Sequence, residues 1–350
     1  MIKNKVLLYG ANGYTGTLIA RYANEYQLQP ILAGRNELEI KKLAATLQLP
    51  YTFFSLEDAT KIKQALADVA VVIHAAGPFH YTAKQMVEAC IETGTHYLDI
   101  NGDLSVFEFI KKYDAKAKQA NIMLLPGAGF DVVPTDCMAL SLNNKLPDAT
   151  HLEIAFVTLG GQISHGTATT MASKAGEGSV VRENGKFVKK PMGHKGKWIE
   201  VDGKNLFVMS IPWGDISTAH FSTGIQNIET YTGIKPAVYK MLKLQFLFNW
   251  LLRTKFIRSY IQKKINQNPA GPTDEKRANA KTYVWGCVRN ADGKEIVEKI
   301  ICADGYTVTA LSCLLITQKI LAGNFKTGYQ TPASCFGAEL IFEIPGTSKI

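Results

Sequence analysis

Three glycines at a spacing of three, Gly10, Gly13 and Gly16, follow the apolar run Lys5 to Tyr9 (KVLLY) and precede the helical pattern TLIARYANEY. A strand that ends in a glycine turn and opens a helix is the context in which such a triplet can bind phosphate. Gly10 allows a tight turn, and Gly13 lets the backbone approach a pyrophosphate. Gly16 lets the helix pack close to the strand, and Asn12, Tyr14 and Thr15 complete the turn and the first helical residues. The helix start supplies N–H groups with no partner inside the helix, which suit an anion. The spacing is G-x-x-G-x-x-G rather than G-x-G-x-x-G, and a glycine triplet alone would serve any tight strand-to-helix turn.

The next strand signal, Pro30 to Ala33, ends at Gly34-Arg35. A unit selective for NAD usually places an acidic residue here to hold a ribose 2′-hydroxyl. An acid would repel a 2′-phosphate, whereas the Arg35 guanidinium can pair with one through two hydrogen bonds. The residue pattern therefore points to NADP(H); the alternative is a surface arginine at a helix start. Ser55 and Leu56, after the strand run Tyr51 to Ser55, are placed at the adenine. Ala75, Ala76 and Gly77, after the apolar run Val69 to His74, are small enough to let a nicotinamide ribose reach the backbone.

These positions require alternating strands and helices. Helices are expected over Glu37 to Leu47, Ala59 to Ala67, Ala83 to Thr93 and Leu104 to Ala120, with strands at His96 to Ile100 and Ile122 to Leu125. That alternation predicts a doubly wound parallel sheet, an N-terminal Rossmann domain over residues 1–133. Ligands bind outside the carboxyl ends of such strands, where the small-residue turns fall.

From residue 134 to 350 the pattern changes to an α+β domain with a mainly antiparallel sheet, for substrate binding or dimerisation. His151 to Val157 reads as a strand, Ser164 to Thr167 as a polar glycine loop and Thr169 to Glu177 as a helix. Gly185 to Ile211 suits hairpins. Thr282 to Val288 and Lys294 to Ala303 form an antiparallel pair joined at Asp292-Gly293. Gly305 to Ala322 is a long apolar helix, a candidate to pack back on the first domain, and Glu339 to Ile344 a final strand.

The composition, 46% hydrophobic and 20% charged over 350 residues, excludes a disordered chain. No apolar run is long enough for a transmembrane helix, and the N-terminal run is too short for a signal peptide. Six scattered cysteines form no C-x-x-C pair, so a cytoplasmic protein with reduced thiols and no bound metal is expected. Thirty-nine basic against 30 acidic residues leave a net charge of +9. Much of that excess is local, because residues 230–273 contain Lys and Arg but neither Asp nor Glu. Within them, residues 239–265 (YKMLKLQFLFNWLLRTKFIRSYIQKKI) interleave aromatics with cations. This segment is a candidate for peripheral contact with an anionic membrane; an internal helix or a homodimer interface with solvated lysines is the alternative. No motif beyond charge supports nucleic-acid binding.

The blocks YGANGYTG with AGR, HAAGPFHYTA, HYLDINGD, PGAGFDVVPTD, SHGTATTM, PWGDISTAHFSTGI, GYTVTALS and GYQTPASCFG together resemble the saccharopine dehydrogenase-like oxidoreductases, most closely the bacterial trans-acting enoyl reductases. The resemblance covers nearly the whole chain. It implies an NADP-type Rossmann domain followed by a mixed-sheet domain that covers the cofactor. The sequence departs from that pattern at His74-Ala75-Ala76-Gly77, where N-C-V-G is expected, at His165, where glycine is commoner, and at Asp103, where Glu is usual.

Hydride addition to an enone, imine or carbonyl needs a proton donor. His165, in its glycine loop, is the first candidate because histidine as a residue type suits proton transfer near neutral pH, against a loop histidine without a role. Tyr81 follows the Ala75 to Gly77 turn and could bond to substrate, against a core tyrosine. Asp131 and Asp136 read as turn and helix caps. The expected function is NADPH-dependent hydride transfer to an unsaturated acyl, polyketide-like or other small-molecule substrate. The alternatives are a saccharopine-type imine or amino-acid dehydrogenase and a non-catalytic NADP-binding sensor or scaffold.

Overall fold

The computed structural model describes residues 3–174, 176–247 and 249–350. The chain divides into two units. The first comprises Met1–Pro134 and Gly305–Ile344, the second Thr135–Asp304 and Pro345–Ile350. The division is thus not a single cut near residue 134, since the chain re-enters the first unit at Gly305 and returns to the second at Pro345.

In the first unit, β1 (Lys5–Tyr9), β2 (Ile31–Gly34), β3 (Tyr51–Phe53), β4 (Val69–His74), β5 (His96–Asp99) and β6 (Met123–Leu125) alternate with helices. A two-residue strand, Gly328–Tyr329, pairs with the outer side of β6. The order from that strand is β6-β5-β4-β1-β2-β3, and every pairing is parallel. Parallel strands covered on both faces must be apolar along their length, and all six residues of β4 (VAVVIH) are buried. The direction of winding reverses between β1 and β4, which opens a crevice at their carboxyl ends.

Helix Gly305–Leu321 belongs to this unit and packs on helix Tyr14–Tyr22. Eleven of its residues are buried, which explains its lack of a polar face. Ser312 Oγ donates to the Ala128 carbonyl at 2.6 Å, and Thr309 Oγ1 accepts the Phe130 N–H at 2.9 Å. These bonds tie the helix to the turn after β6.

Two expectations here need correction. Leu104 to Ala120 is two helices, Leu104–Lys111 and Asp114–Gln119, because the chain turns at Lys112-Tyr113. Glu339 to Ile344 is not a strand but part of the 3₁₀ helix Ala338–Glu343, which buries Leu340 and Ile341. A short apolar run fits either conformation, and here the Ile344 N–H bonds locally to the Ile341 carbonyl at 3.3 Å.

The second unit is built on β7 (His151–Leu159), β8 (Ser179–Glu183), β9 (Lys186–Lys190), β10 (Gly196–Val201), β11 (Lys204–Ile211), β12 (Asn227–Gly233), β13 (Lys281–Arg289) and β14 (Glu295–Cys302). They form a sheet of order β10-β11-β12-β7-β13-β14, extended by Ser348–Lys349, with the β8-β9 hairpin beside β12. Among the described residues of this unit only β7 and β12 pair in parallel; the remaining pairings are antiparallel. Ala155, Val157, Ile199, Val208, Tyr231 and Tyr283 form a core on one face.

Candidate cofactor site

Gly10 has φ +84°, a left-handed conformation that favours glycine. A Cβ there would stand 2.8 Å from Ala75 C and Ala76 N. The glycine turn and the small-residue turn after β4 are therefore pressed together at the crevice. A Cβ on Gly16 would overlap the Gly10 carbonyl and lie 2.9 Å from Ala11 Cα, so the helix can start this close to β1 only with glycine there. The Gly13 N–H donates to the Gly10 carbonyl at 3.0 Å.

Helix Tyr14–Tyr22 is N-capped by Gly13 without a side-chain hydrogen bond and has no acid in its first turn. Its first N–H groups find no partner within the helix. Tyr14 packs edge-on against Tyr306, with ring centroids 5.1 Å apart, and Thr15 follows it, half-buried. Asn12 Nδ2 donates to Glu39 Oε2 at 2.6 Å. Its Oδ1 would meet a Cβ on Gly34 at 3.0 Å, so Asn12 links the first turn to the end of β2.

Arg35 follows β2 and is exposed. Its positive charge acts on Tyr9, whose hydroxyl burial nonetheless pushes up to about 12. Tyr9 OH donates to the Phe54 carbonyl at 3.1 Å and so fixes the strand end from which Ser55 and Leu56 follow. The Ser55 hydroxyl accepts the Glu57 N–H at 3.2 Å, while Leu56 is buried. A 2′-phosphate and an adenine edge fit these residue types at neighbouring strand ends.

Beyond β4, Ala75 and Ala76 are half-buried and Gly77 exposed. Tyr81, in helix Phe79–Thr93, is 70% exposed. The core-tyrosine alternative is thereby removed, and its ring lies 3.9 Å, centroid to centroid, from that of His80. His165 belongs to the second unit. It is the first residue of helix His165–Ser173, not part of a flexible loop before a helix at Thr169. The Ser164 side chain accepts the Thr167 N–H and caps the helix, which outweighs the low helix propensity of Gly166. The His165 Nε2 is tied to the Asn268 carbonyl. The expected helix end toward Glu177 includes Ala175, which lies outside the described residues.

Several polar groups stand at or just beyond the strand ends; the sequence singled out no role for His74, Asp99 or Asn101 and placed Asp131 as a turn cap. His74 closes β4, fully buried; burial lowers its pKa to about 3, so the imidazole is neutral. Its Nε2 bonds with Thr82 Oγ1 at 3.0 Å, and among the described residues no hydrogen-bond partner is present for Nδ1. Asp99 closes β5 and accepts from Tyr97 OH at 2.7 Å, Asn101 N at 3.0 Å and Gly127 N at 2.8 Å. Burial pushes its carboxyl up to about 6 against these donors. Asn101 is buried, and among the described residues its Nδ2 has no hydrogen-bond partner. Asp131 is mostly shielded from solvent, and burial pushes its carboxyl up to about 7. It approaches Gly102 so closely that a Cβ there would meet its Oδ2 at 2.6 Å. The one available signal was a polar residue at the carboxyl end of an otherwise apolar parallel strand.

Among the described residues no group of three or more His, Cys, Asp or Glu could hold a metal ion, and no helix is long and apolar enough to cross a membrane.

Residues 6–125 match the family model described as saccharopine dehydrogenase NADP binding domain. The human saccharopine dehydrogenase-like oxidoreductase is 24% identical over 174 residues, which cover 44% of this chain and 41% of that protein. A trans-acting enoyl reductase of Mycobacterium leprae (strain TN) is 26% identical over 149 residues, 40% of this chain and 36% of that protein. The match thus spans about two fifths of the curated relatives' length. Among solved structures, apo saccharopine dehydrogenase (L-Glu forming) from Saccharomyces cerevisiae superposes with a TM-score of 0.67 at 12% identity, covering 99% of this chain and 100% of that chain. It shares the two-part fold. The glycine turn, Arg35 and the small-residue turn all lie within residues 6–125, the stretch that is similar to the saccharopine dehydrogenase NADP binding domain.

Proposed function

We propose that this protein is an NADPH-dependent oxidoreductase that reduces an unsaturated acyl, polyketide-like or lipid-like substrate, in the manner of an enoyl reductase. The observation that carries the reading is the packing of Gly10 against Ala75 and Ala76, beside a helix start with no acid. Gly10, Gly13 and Gly16 leave room for a pyrophosphate, and the N–H groups of Tyr14 and Thr15 donate to it. Arg35 pairs with the 2′-phosphate, and Ser55 and Leu56 border the adenine. Ala75, Ala76 and Gly77 border the nicotinamide end. NADPH supplies the hydride. The chain's own part is to orient that donor, to hold developing charge and to deliver a proton.

Three groups are candidates for the last two tasks. Tyr81 presents an exposed hydroxyl after the small-residue turn. Asp131, at about 7, is part-protonated at neutral pH and so suited to give or take a proton. His165 is the third, in the second unit. A relative's name supports the acyl substrate: the matching Mycobacterium leprae protein is called a trans-acting enoyl reductase. The yeast fold neighbour supports the alternative, a saccharopine-type imine or amino-acid dehydrogenase. An acyl-chain substrate also makes a lipid surface a natural partner, through residues 239–265.

Titration of the purified protein with NADPH and NADH tests the cofactor half. Much tighter NADPH binding is expected, and binding of neither nucleotide would overturn the reading. A panel of enones and cyclic imines, followed by NADPH oxidation, separates the two substrate classes. Tight binding without turnover on either would favour a non-catalytic NADP-binding protein.

A further inference from the structure

The second unit carries an uncovered apolar surface inside its most basic stretch. Residues 230–273 hold eight Lys or Arg and no Asp or Glu. Within them, the turn Gln245–Leu247 contacts Asn249–Leu252, which contacts helix Lys255–Ile265, which in turn packs on helix His165–Ser173. Phe248, in this segment, lies outside the described residues.

Helix Lys255–Ile265 separates its apolar residues into two sets. Ile257, Ile261 and Ile265, four apart, are half-buried or buried. Phe256 and Tyr260, also four apart, are 79% and 56% exposed. The isoleucines give the helix its anchor, so the aromatic pair is not needed to hold it. Phe246, Leu247 and Trp250 are 69%, 59% and 68% exposed, and Met171 on the neighbouring helix is 62% exposed. Lys263 and Lys264 stand exposed beside them, and Gln262 bonds across to Thr169 at 3.0 Å. Apolar side chains on this scale are costly to leave in water.

Charge selects the occupant. Glu177 pairs with Arg258 at 3.3 Å but, among the described residues, leaves Lys263 and Lys264 uncompensated in this stretch, so a second copy docked by two-fold symmetry would place the same net cationic surface against itself, and like charges repel. A nucleic acid would neutralise the lysines but leave Leu247 and Met171 without a use. An anionic bilayer satisfies both sets: rings and aliphatic chains enter the headgroup–acyl boundary, and lysines meet the lipid phosphates. The helices here are too short to cross, so contact is peripheral. We propose that this surface, with Phe246, Leu247, Trp250, Phe256, Tyr260 and Met171 at its centre, docks the protein on an anionic membrane. This deepens the lipid-substrate reading above by naming the partner surface.

The test is co-sedimentation of the full chain with vesicles of phosphatidylcholine alone and with added phosphatidylserine. It needs no nucleotide, so its outcome is separate from that of the cofactor titration. Binding is expected to the anionic vesicles only, falling as salt is raised, with a blue shift of Trp250 emission that Trp250→Phe removes. The pair Phe256→Ser and Trp250→Ser should abolish sedimentation, and Lys263→Gln with Lys264→Gln should weaken it about tenfold or more. Circular dichroism and urea midpoints of each variant should match the parent, since the changed side chains are exposed. Failure to bind at low salt overturns the proposal, as does binding that the aromatic pair does not affect. A dimer in solution that the aromatic variants dissociate would assign the surface to a second copy instead, and tight RNA binding that they weaken would assign it to nucleic acid.

Discussion

A β-carbon on Gly10 would lie 2.8 Å from the backbone nitrogen of Ala76, two residues from strands adjacent in the sheet and far apart in the chain. Gly10→Ala therefore meets two penalties at once, a side chain at φ +84° and a clash with backbone. A loss of about 2–4 kcal/mol is expected, together with loss of NADPH binding. Gly203, at φ +69° with open space around it, is the control: Gly203→Ala should cost about 1 kcal/mol and leave binding intact. Urea denaturation and nucleotide titration of both variants check this.

Arg35 follows β2 with its guanidinium in solvent. Arg35→Ala is expected to weaken NADPH about tenfold to a hundredfold, the scale of one or two charge-assisted hydrogen bonds, and to change NADH affinity little. Equal weakening of both nucleotides would remove the 2′-phosphate assignment.

Asp131 and His74 should give stability opposite dependences on pH. Asp131 titrates near 7 in the fold, above its unfolded value near 4. Its contribution is full below about pH 4 and is lost as pH rises toward 7. His74 titrates near 3 in the fold, below its unfolded value near 6.5. Its contribution is present above about pH 6.5 and is lost as pH falls toward 3. Between about pH 4 and 6.5 the two slopes oppose each other. Relative to the parent, Asp131→Asn should shift the slope of stability against pH upward over that window, and His74→Asn should shift it downward. Urea midpoints measured across the window decide; unchanged slopes would show that neither burial has this effect.

The candidate proton donors separate by kinetics. Tyr81→Phe and His165→Gln each keep most of the side-chain volume, and neither residue is placed at the pyrophosphate. NADPH affinity should be retained, and the variant of a true donor should lose about a hundredfold or more in kcat. Asp131→Asn should in addition flatten the pH–rate profile near 7. A variant that leaves both kcat and its pH dependence unchanged drops that residue from the mechanism.

The sequence by itself determined the parallel α/β half and its nucleotide turn. Each strand, turn and helix there is local: KVLLY, three glycines and an apolar helical stripe specify one another within a few residues. The antiparallel pair joined at Asp292-Gly293 was legible for the same reason. Contacts between distant segments were decided only in three dimensions. Gly305–Ile344 returns to the first unit because an almost wholly apolar helix must be buried, and helix Tyr14–Tyr22 offers a face for it. Periodicity shows that such a helix needs cover but does not say from what. Asp99 collects donors from Tyr97, Asn101 and Gly127, and its role follows from the pairing of β5 with β6. Within residues 239–265, composition revealed an apolar and basic segment. Which of its rings are anchored and which stand in water was set by packing against helix His165–Ser173, since exposure belongs to the assembled structure and not to the residue.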